Sequence, residues 1–338
     1  MPDIIHAGDS RQPRPLLIMG SPRSGTTFLA QMVNRFFDVH ICRDNGTILR
    51  FYRSVRHYEP LENDHNLKRL VHHLYADHYF KSRLRDRGFT LSEAELFARV
   101  VRRTYGGLVE AIFSATAESH GKRQWGYKRA SFARVGGERL DDLFPGARLV
   151  HVIRDARDVV LSMRTAKDSL LERSWHFGAV DWVSHLQTGR RLGQQLGPER
   201  YLEVRYERFM AEPATVLLGI LAFSGGGDRA GRDAARIRSE IGPLVRSGNT
   251  EKWRRVLPPG AGRTIERVAG DLLGELGYPV LYPDVVGRPV GAPEMAWLHV
   301  DRLARTLVQT RLGSLIRYRV EVLKAAGRAR FSRGGEKR

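Results

Sequence analysis

Cysteine is almost missing. Cys42 is the only one in 338 residues, which excludes a disulfide within the chain and any cysteine-rich zinc site. Lysine is scarce too, at 8 of the 56 basic residues, so positive charge is carried by arginine. No run of about 18 apolar residues occurs, and no segment reads as a membrane-spanning helix. The N-terminal stretch Met1–Arg14 carries Asp3 and Asp9 and lacks the apolar core of a secretory signal, so a cytoplasmic location is expected. Glycine and proline follow no period, which excludes collagen and repeat arrays.

What is present is a globular composition, with 42% hydrophobic and 28% charged residues. That supplies a core and excludes global disorder. The formal charge is +19. A codon preference for arginine would produce such a bias, and so would a polyanionic ligand or surface. Charge alone leaves nucleic acid, acidic lipid and a phosphate-rich small molecule open.

Along the chain, Pro15–Gly20 reads as a buried strand, followed by a glycine-bearing turn and a helix over Thr26–Phe37. Leu91–Thr116 reads as one helix, with Ser92 and Glu95 in capping-box spacing. Strands are expected at 123–128, 147–153 and 201–205, a helix capped by Asp155, and helices over Pro213–Phe223 and Thr264–Leu276. Strands alternating with helices predict an α/β fold, a central parallel sheet flanked by helices. A proline-rich stretch, Pro279 to Pro293, marks the end of the main domain. The expected organisation is a tail over 1–13, one domain over 14–285 and a basic helical extension over 286–338.

Gly20-Ser-Pro-Arg-Ser-Gly25-Thr-Thr27 has the G-x-x-x-x-G frame of a phosphate-binding P-loop. There, backbone N–H groups and a helix N-terminus cradle an anion. A triphosphate loop continues with Lys and Ser/Thr, for the terminal phosphates and magnesium. Here Thr26 occupies the lysine position and Arg23 lies inside the loop. A hydroxyl-rich, metal-free cradle suits a less charged group such as a sulfate ester. A second anion site is expected at Val152-Ile-Arg154-Asp-Ala-Arg157-Asp158, where a strand ends and a helix opens, with Ser162 two turns on. Arg157 and Asp158 read equally well as surface ion pairs.

These motifs resemble those of the sulfotransferases that use 3′-phosphoadenosine 5′-phosphosulfate (PAPS). Pro22–Thr27 is similar to their 5′-phosphosulfate loop, and Arg154 with Ser162 to their 3′-phosphate motif. Phe144–Asp155, Val204-Arg-Tyr206-Glu (with Arg208 where Asp is usual), Lys252-Trp253 and Leu276-Gly-Tyr278 follow in family order. The likeness leans towards the carbohydrate and tyrosyl-protein branch. It implies a sulfotransferase-like P-loop fold and transfer of a sulfuryl group to a hydroxyl, with adenosine 3′,5′-bisphosphate released.

The resemblance also implies roles. Arg23 would contact the 5′-phosphosulfate, with Ser24, Gly25, Thr26 and Thr27 as donors around it. Arg154 and Ser162 would hold the 3′-phosphate, with Tyr206, Ser247 and Lys252 near the same phosphate and the adenosine. Lys128, in Trp125-Gly-Tyr-Lys128, would sit by the transferred group. The general base would be a carboxylate about twenty residues beyond the loop, which points to Asp44, with Glu59, His57 and His65 as fallbacks. The histidines at 57, 65, 72, 73 and 78 lack metal-ligand spacing, so no metal is expected.

Two other readings compete. A P-loop kinase is disfavoured by Thr26, and a nucleic-acid-binding module lacks any recognition motif. The expected partner is a hydroxyl-bearing acceptor: a sugar, a tyrosyl peptide or a natural product. Residues 302–338 hold eleven Lys and Arg against two Glu, with Leu303, Leu307, Leu312, Leu315, Ile316 and Val320 available to line one side. That pattern suits packing on the domain or in a homodimer, and it is also compatible with peripheral membrane contact.

Overall fold

The computed structural model describes residues 14–43, 47–77, 80, 88–130, 132, 137–166, 174–225, 230–245 and 248–304. In chain order the elements begin β1 (Leu16–Met19), α1 (Thr26–Phe36), β2 (Val39–Arg43), α2 (Thr47–Ser54) and α3 (Asp64–Ala76). Then come α4 (Glu93–Arg99), α5 (Tyr105–Ser119), β3 (Gln124–Lys128), α6 (Gly137–Leu143), β4 (Arg148–Ile153), α7 (Ala156–Thr165) and α8 (Trp175–Leu196). The remainder is β5 (Tyr201–Arg205), α9 (Tyr206–Ala211), α10 (Pro213–Ser224), α11 (Ala230–Glu240), α12 (Trp253–Val256) and α13 (Pro259–Glu275). The chain divides into two units, Met1–Arg154 with Ser184–Lys252, and Asp155–Val183 with Trp253–Arg338.

The first unit holds a five-stranded sheet, all parallel, in the order β2-β3-β1-β4-β5. Its strands are short; β1, β3 and β4 are largely buried on both faces, as a covered parallel sheet requires, and the edge strand β5 is mostly half-buried. Side chains alternate between two cores. Leu17 and Met19 join Phe113, Trp125, Tyr127 and Phe144 on one face, under α2–α6. Leu16 and Ile18 join Val33, Phe36, Val150 and Val152 on the other, under α1, α10 and α11. From β1 the chain crosses towards β2, and from β4 towards β5, so the order reverses between these two paired strands. Ligands of open α/β sheets bind beyond the strand ends at such a reversal. Here the residues just beyond those ends are the 20–25 loop and Arg154.

The expected helix over 91–116 is two helices. Ser92 opens α4 with a complete capping box. Val100 is already extended, and Thr104 caps α5 by accepting from the Gly107 N–H at 3.1 Å. Backbone packing forces the break. A Cβ on Gly106 would collide with the Asp142 carbonyl, and one on Gly107 with that of Arg102. Apolar spacing runs on through the break and hides it from a periodicity argument. Helix α13 starts five residues before the expected Thr264, with Pro259 in its first turn.

Candidate anion-binding site

The loop after β1 is held shut from within. The Ser24 N–H and hydroxyl both donate to the Ser21 carbonyl, at 3.0 and 2.6 Å. Gly20 donates to the Ala130 carbonyl at 3.3 Å. Arg23 takes a left-handed φ of 74°, a conformation that strains a residue with a Cβ. Its side chain is exposed, as is that of Thr27, whereas Ser24 and Thr26 are buried. Gly25 is the N-cap of α1, and no side chain caps that helix. The first-turn N–H groups and the positive end of the helix dipole therefore stay available for an anion. The Ser21 hydroxyl is buried in the same loop without a hydrogen-bond partner. An uncompensated buried hydroxyl beside an open helix terminus fits a bound oxyanion.

Arg154 is 5% exposed and ties three segments together. Its Nη1 donates to the Arg23 carbonyl at 3.1 Å and its Nη2 to the Asn249 carbonyl at 2.6 Å. Its guanidinium lies 4.5 Å from the centre of the Tyr206 ring. Asn249 Nδ2 donates to the Tyr206 hydroxyl at 2.6 Å. The ring also fills the space where a Gly25 Cβ would be. Tyr206 therefore forms the floor of the loop, with the Arg154 guanidinium against its ring. Asn249 and Ser21 are additions of the structure. Ser21 lies inside the glycine frame, but Asn249 carries no motif.

Lys128 ends β3, half-buried, in register with Ile18 of β1 and Arg43 of β2. The chain just beyond it is tied to β1 and the loop by Arg129 N–H to the Ile18 carbonyl, at 2.9 Å, and by the Gly20–Ala130 bond. Its position beside the loop is thus set by backbone pairing. Lys252 is exposed. Asp44, Ser247 and His78 lie outside the described residues. Of the fallback residues, Glu59, His57 and His65 are exposed. His72 pairs with Glu93 at 3.2 Å, and His73 bonds the Tyr58 hydroxyl at 2.8 Å. Among the described residues no group of His, Cys, Asp and Glu is arranged to hold a metal ion.

In the second unit Ser162 lies half-buried on α7. Arg157 and Asp158 are not surface pairs: their residues are 0% and 2% exposed. Arg157 bonds both Asp155 oxygens, at 3.0 and 2.7 Å, and Nη1 reaches Glu266 at 2.7 Å and the Pro279 carbonyl at 2.8 Å. The second Glu266 oxygen accepts from the N–H groups of Leu281 and Tyr282. Asp158 accepts from the Trp253 N–H at 2.9 Å. Burial alone would lower the Arg157 pKa, but the bonds and charges of Asp155 and Glu266 outweigh it and hold it above the usual value.

Residues 15–226 match the sequence family described as the sulfotransferase family. No curated protein matches the chain. The sulfotransferase domain of the Synechococcus PCC 7002 olefin synthase is similar in structure, 21% identical with a TM-score of 0.51, over 80% of this chain and 97% of that domain. A sulfotransferase domain from the curacin biosynthetic pathway is 18% identical with a TM-score of 0.47, over 80% of this chain and all 100% of that one. A mouse sulfotransferase solved in complex with PAP is 11% identical with a TM-score of 0.43, over 80% of this chain and 87% of that one. The likeness to the first of these is one of fold.

Proposed function

The chain belongs to the sulfotransferase family, and on that premise we propose that it moves the sulfuryl group of PAPS to an acceptor hydroxyl. The product nucleotide is adenosine 3′,5′-bisphosphate. The acceptor is a sugar, a tyrosyl peptide or a natural product, in keeping with the carbohydrate and tyrosyl-protein branch. One observation carries the reading: an uncapped helix N-terminus and a buried, unpaired Ser21 hydroxyl stand at the reversal of a parallel sheet, in a loop with no P-loop lysine. The absence of that lysine favours sulfuryl transfer over a kinase reaction.

In the transfer, the acceptor oxygen bonds to sulfur as the sulfur–oxygen bond to the 5′-phosphate breaks. The hydroxyl proton passes to a base, for which Asp44 is the candidate. The transition state resembles that of phosphoryl transfer, loose and in line, so the protein supplies positioning and charge stabilisation. Arg23, Thr26, Thr27 and the α1 N–H groups face the charge that grows on the leaving phosphate, and Ser24 holds the turn closed around it. Gly25 leaves room for Tyr206 beneath the loop. Lys128 stabilises the transferred group. Arg154 and Ser162 hold the 3′-phosphate, and Ser247 and Lys252 contact the same end of the nucleotide.

Nucleotide choice tests this assignment. The bisphosphate offers a 3′-phosphate to Arg154, and ATP does not. A charge-assisted hydrogen bond contributes about 1.5–3 kcal/mol, so the preference should be roughly 10- to 150-fold. The bisphosphate should raise the melting temperature well above the effect of equal ATP, and Arg154→Ala should erase most of the difference. Equal stabilisation by ATP would overturn the assignment. An acceptor screen with labelled PAPS then identifies the hydroxyl.

A further inference from the structure

A helix over 292–304 in the second unit has one side covered and one bare. Met295, Leu298 and Asp301 are half-buried. The Phe177 ring lies 5.0 Å from that of His299, with the Arg302 guanidinium 4.6 Å from its centre. Glu294 pairs with Arg267 at 2.8 Å. These contacts fix which side faces the unit. On the opposite side Trp297, Val300 and Leu303 are each 63% exposed. Their spacing of three sets them in one row along the helix. Water is an unfavourable neighbour for such a row.

The sequence beyond the helix says what kind of surface would cover it. Residues 305–338 contain ten Lys and Arg against two Glu, interspersed with Leu307, Leu312, Leu315, Ile316 and Val320. An occupant must therefore be apolar in depth and negative at its face. A second copy of the chain would bring the same charge, +19, against this one. An anionic bilayer has the required arrangement, with negative headgroups over hydrocarbon. Tryptophan is enriched at that boundary, and amphipathic basic helices lie in its plane. None of the described helices is long and apolar enough to cross a membrane, so the contact would be peripheral.

We propose that the row Trp297–Val300–Leu303, with the basic segment that follows it, docks this protein onto an anionic lipid surface. The proposal uses nothing of the nucleotide site and stands apart from the sulfotransferase reading. Each Lys or Arg brought near such a surface strengthens attachment about five-fold.

The test is sedimentation of the full chain with phosphatidylglycerol-containing vesicles and with pure phosphatidylcholine vesicles. The wild type should sediment with the former, release at high salt and bind the latter far more weakly. Trp125, Trp182 and Trp253 are buried and Trp175 is half-buried, so most of the blue shift of emission on binding should be lost in Trp297→Phe. The triple variant Trp297→Ser/Val300→Ser/Leu303→Ser should lose about 100-fold in affinity. Its melting temperature should stay unchanged, because the three side chains are exposed. Arg311→Gln/Arg317→Gln/Arg319→Gln should lose about 100-fold as well and flatten the salt dependence. The proposal fails if the wild type ignores anionic vesicles or if the serine variant binds as well as the wild type. It fails equally if the wild type is a dimer that the serine variant turns into monomer, since the row is then an interface between copies.

Discussion

Replacing Gly25 by alanine probes the contact on which the loop rests. The residue sits at φ 93°, and an added Cβ would lie under 3.0 Å from the Tyr206 ring. The left-handed conformation alone costs an alanine about 1–2 kcal/mol. Relief of the clash needs the ring to withdraw. Withdrawal breaks the Asn249–Tyr206 hydrogen bond, worth about 0.5–1.5 kcal/mol, and the Arg154–ring contact, worth about 0.5–2 kcal/mol. Gly25→Ala should therefore lower stability by about 2–5 kcal/mol, most of it arising at Tyr206. A double-mutant cycle separates the parts. In a Tyr206→Ala background there is no ring to displace, and the same substitution should cost only the backbone term of about 1–2 kcal/mol. The assay is urea unfolding of the four proteins, compared at equal m-values. Equal costs in both backgrounds would show that Tyr206 does not press on Gly25, and the account of the loop floor would be wrong.

Three further outcomes follow from buried charge and from the loop chemistry. Burial pushes the His151 pKa down to about 4, while its Nδ1 is bonded to the Tyr201 hydroxyl at 2.7 Å. The unfolded chain binds the extra proton first, so the contribution is complete above about pH 6.5 and is lost as pH falls towards 4. His151→Gln should flatten the stability–pH slope in that window by an amount on the order of 3 kcal/mol, and an unchanged slope would contradict the burial argument. Glu266→Gln puts a donor against either Arg157 or the Leu281 and Tyr282 N–H groups. It should cost about 3–5 kcal/mol in urea unfolding, and a loss under 1 kcal/mol would mean that the pair is not buried as described. Sulfuryl transfer should proceed fully in excess chelator, because Thr26 replaces the lysine of the magnesium–triphosphate apparatus; strict dependence on a divalent ion would refute that reading of the loop.

The sheet was largely legible because β1, β3 and β4 are buried runs bounded by turn residues and β5 is a short run of strand-forming residues. β1 and β4 end at the two anion motifs, so their positions followed from the motifs as well. β2 escaped: Val39-His-Ile-Cys-Arg43 is short and follows α1 with little to separate them. Its identity as a strand depends on pairing with β3, which is 85 residues away between Val39 and Gln124. The long α8 escaped for another reason. Gly178, Gly189 and Gly193 sit inside it and argue locally against a helix. Tertiary packing explains two of them, since a Cβ at Gly189 or Gly193 would collide with His151 or Tyr201. Close approach of helix to strand thus overrides the local cost.

Legibility of the site divides along a chemical line. The glycine, hydroxyl and guanidinium groups of the candidate site announce themselves by spacing, and Gly25, Arg154 and Tyr206 do come together in the structure. Groups that hold those residues in place do not, because their partners are carbonyls and backbone N–H groups, which every residue carries. The Asn249 carbonyl under Arg154 is one case. Glu266 is another: it meets Arg157 across 109 residues of chain, and nothing in Arg157-Asp158 distinguishes a buried pair from a solvated one. Burial decides it. A guanidinium with no exposed surface needs its charge balanced and its N–H groups taken up. Asp155, Glu266 and the Pro279 carbonyl do both. Asp155 is at once the N-cap of α7 and the residue after Arg154. A charge pattern that suits a surface therefore serves to fix the start of the helix that follows Arg154 in the chain.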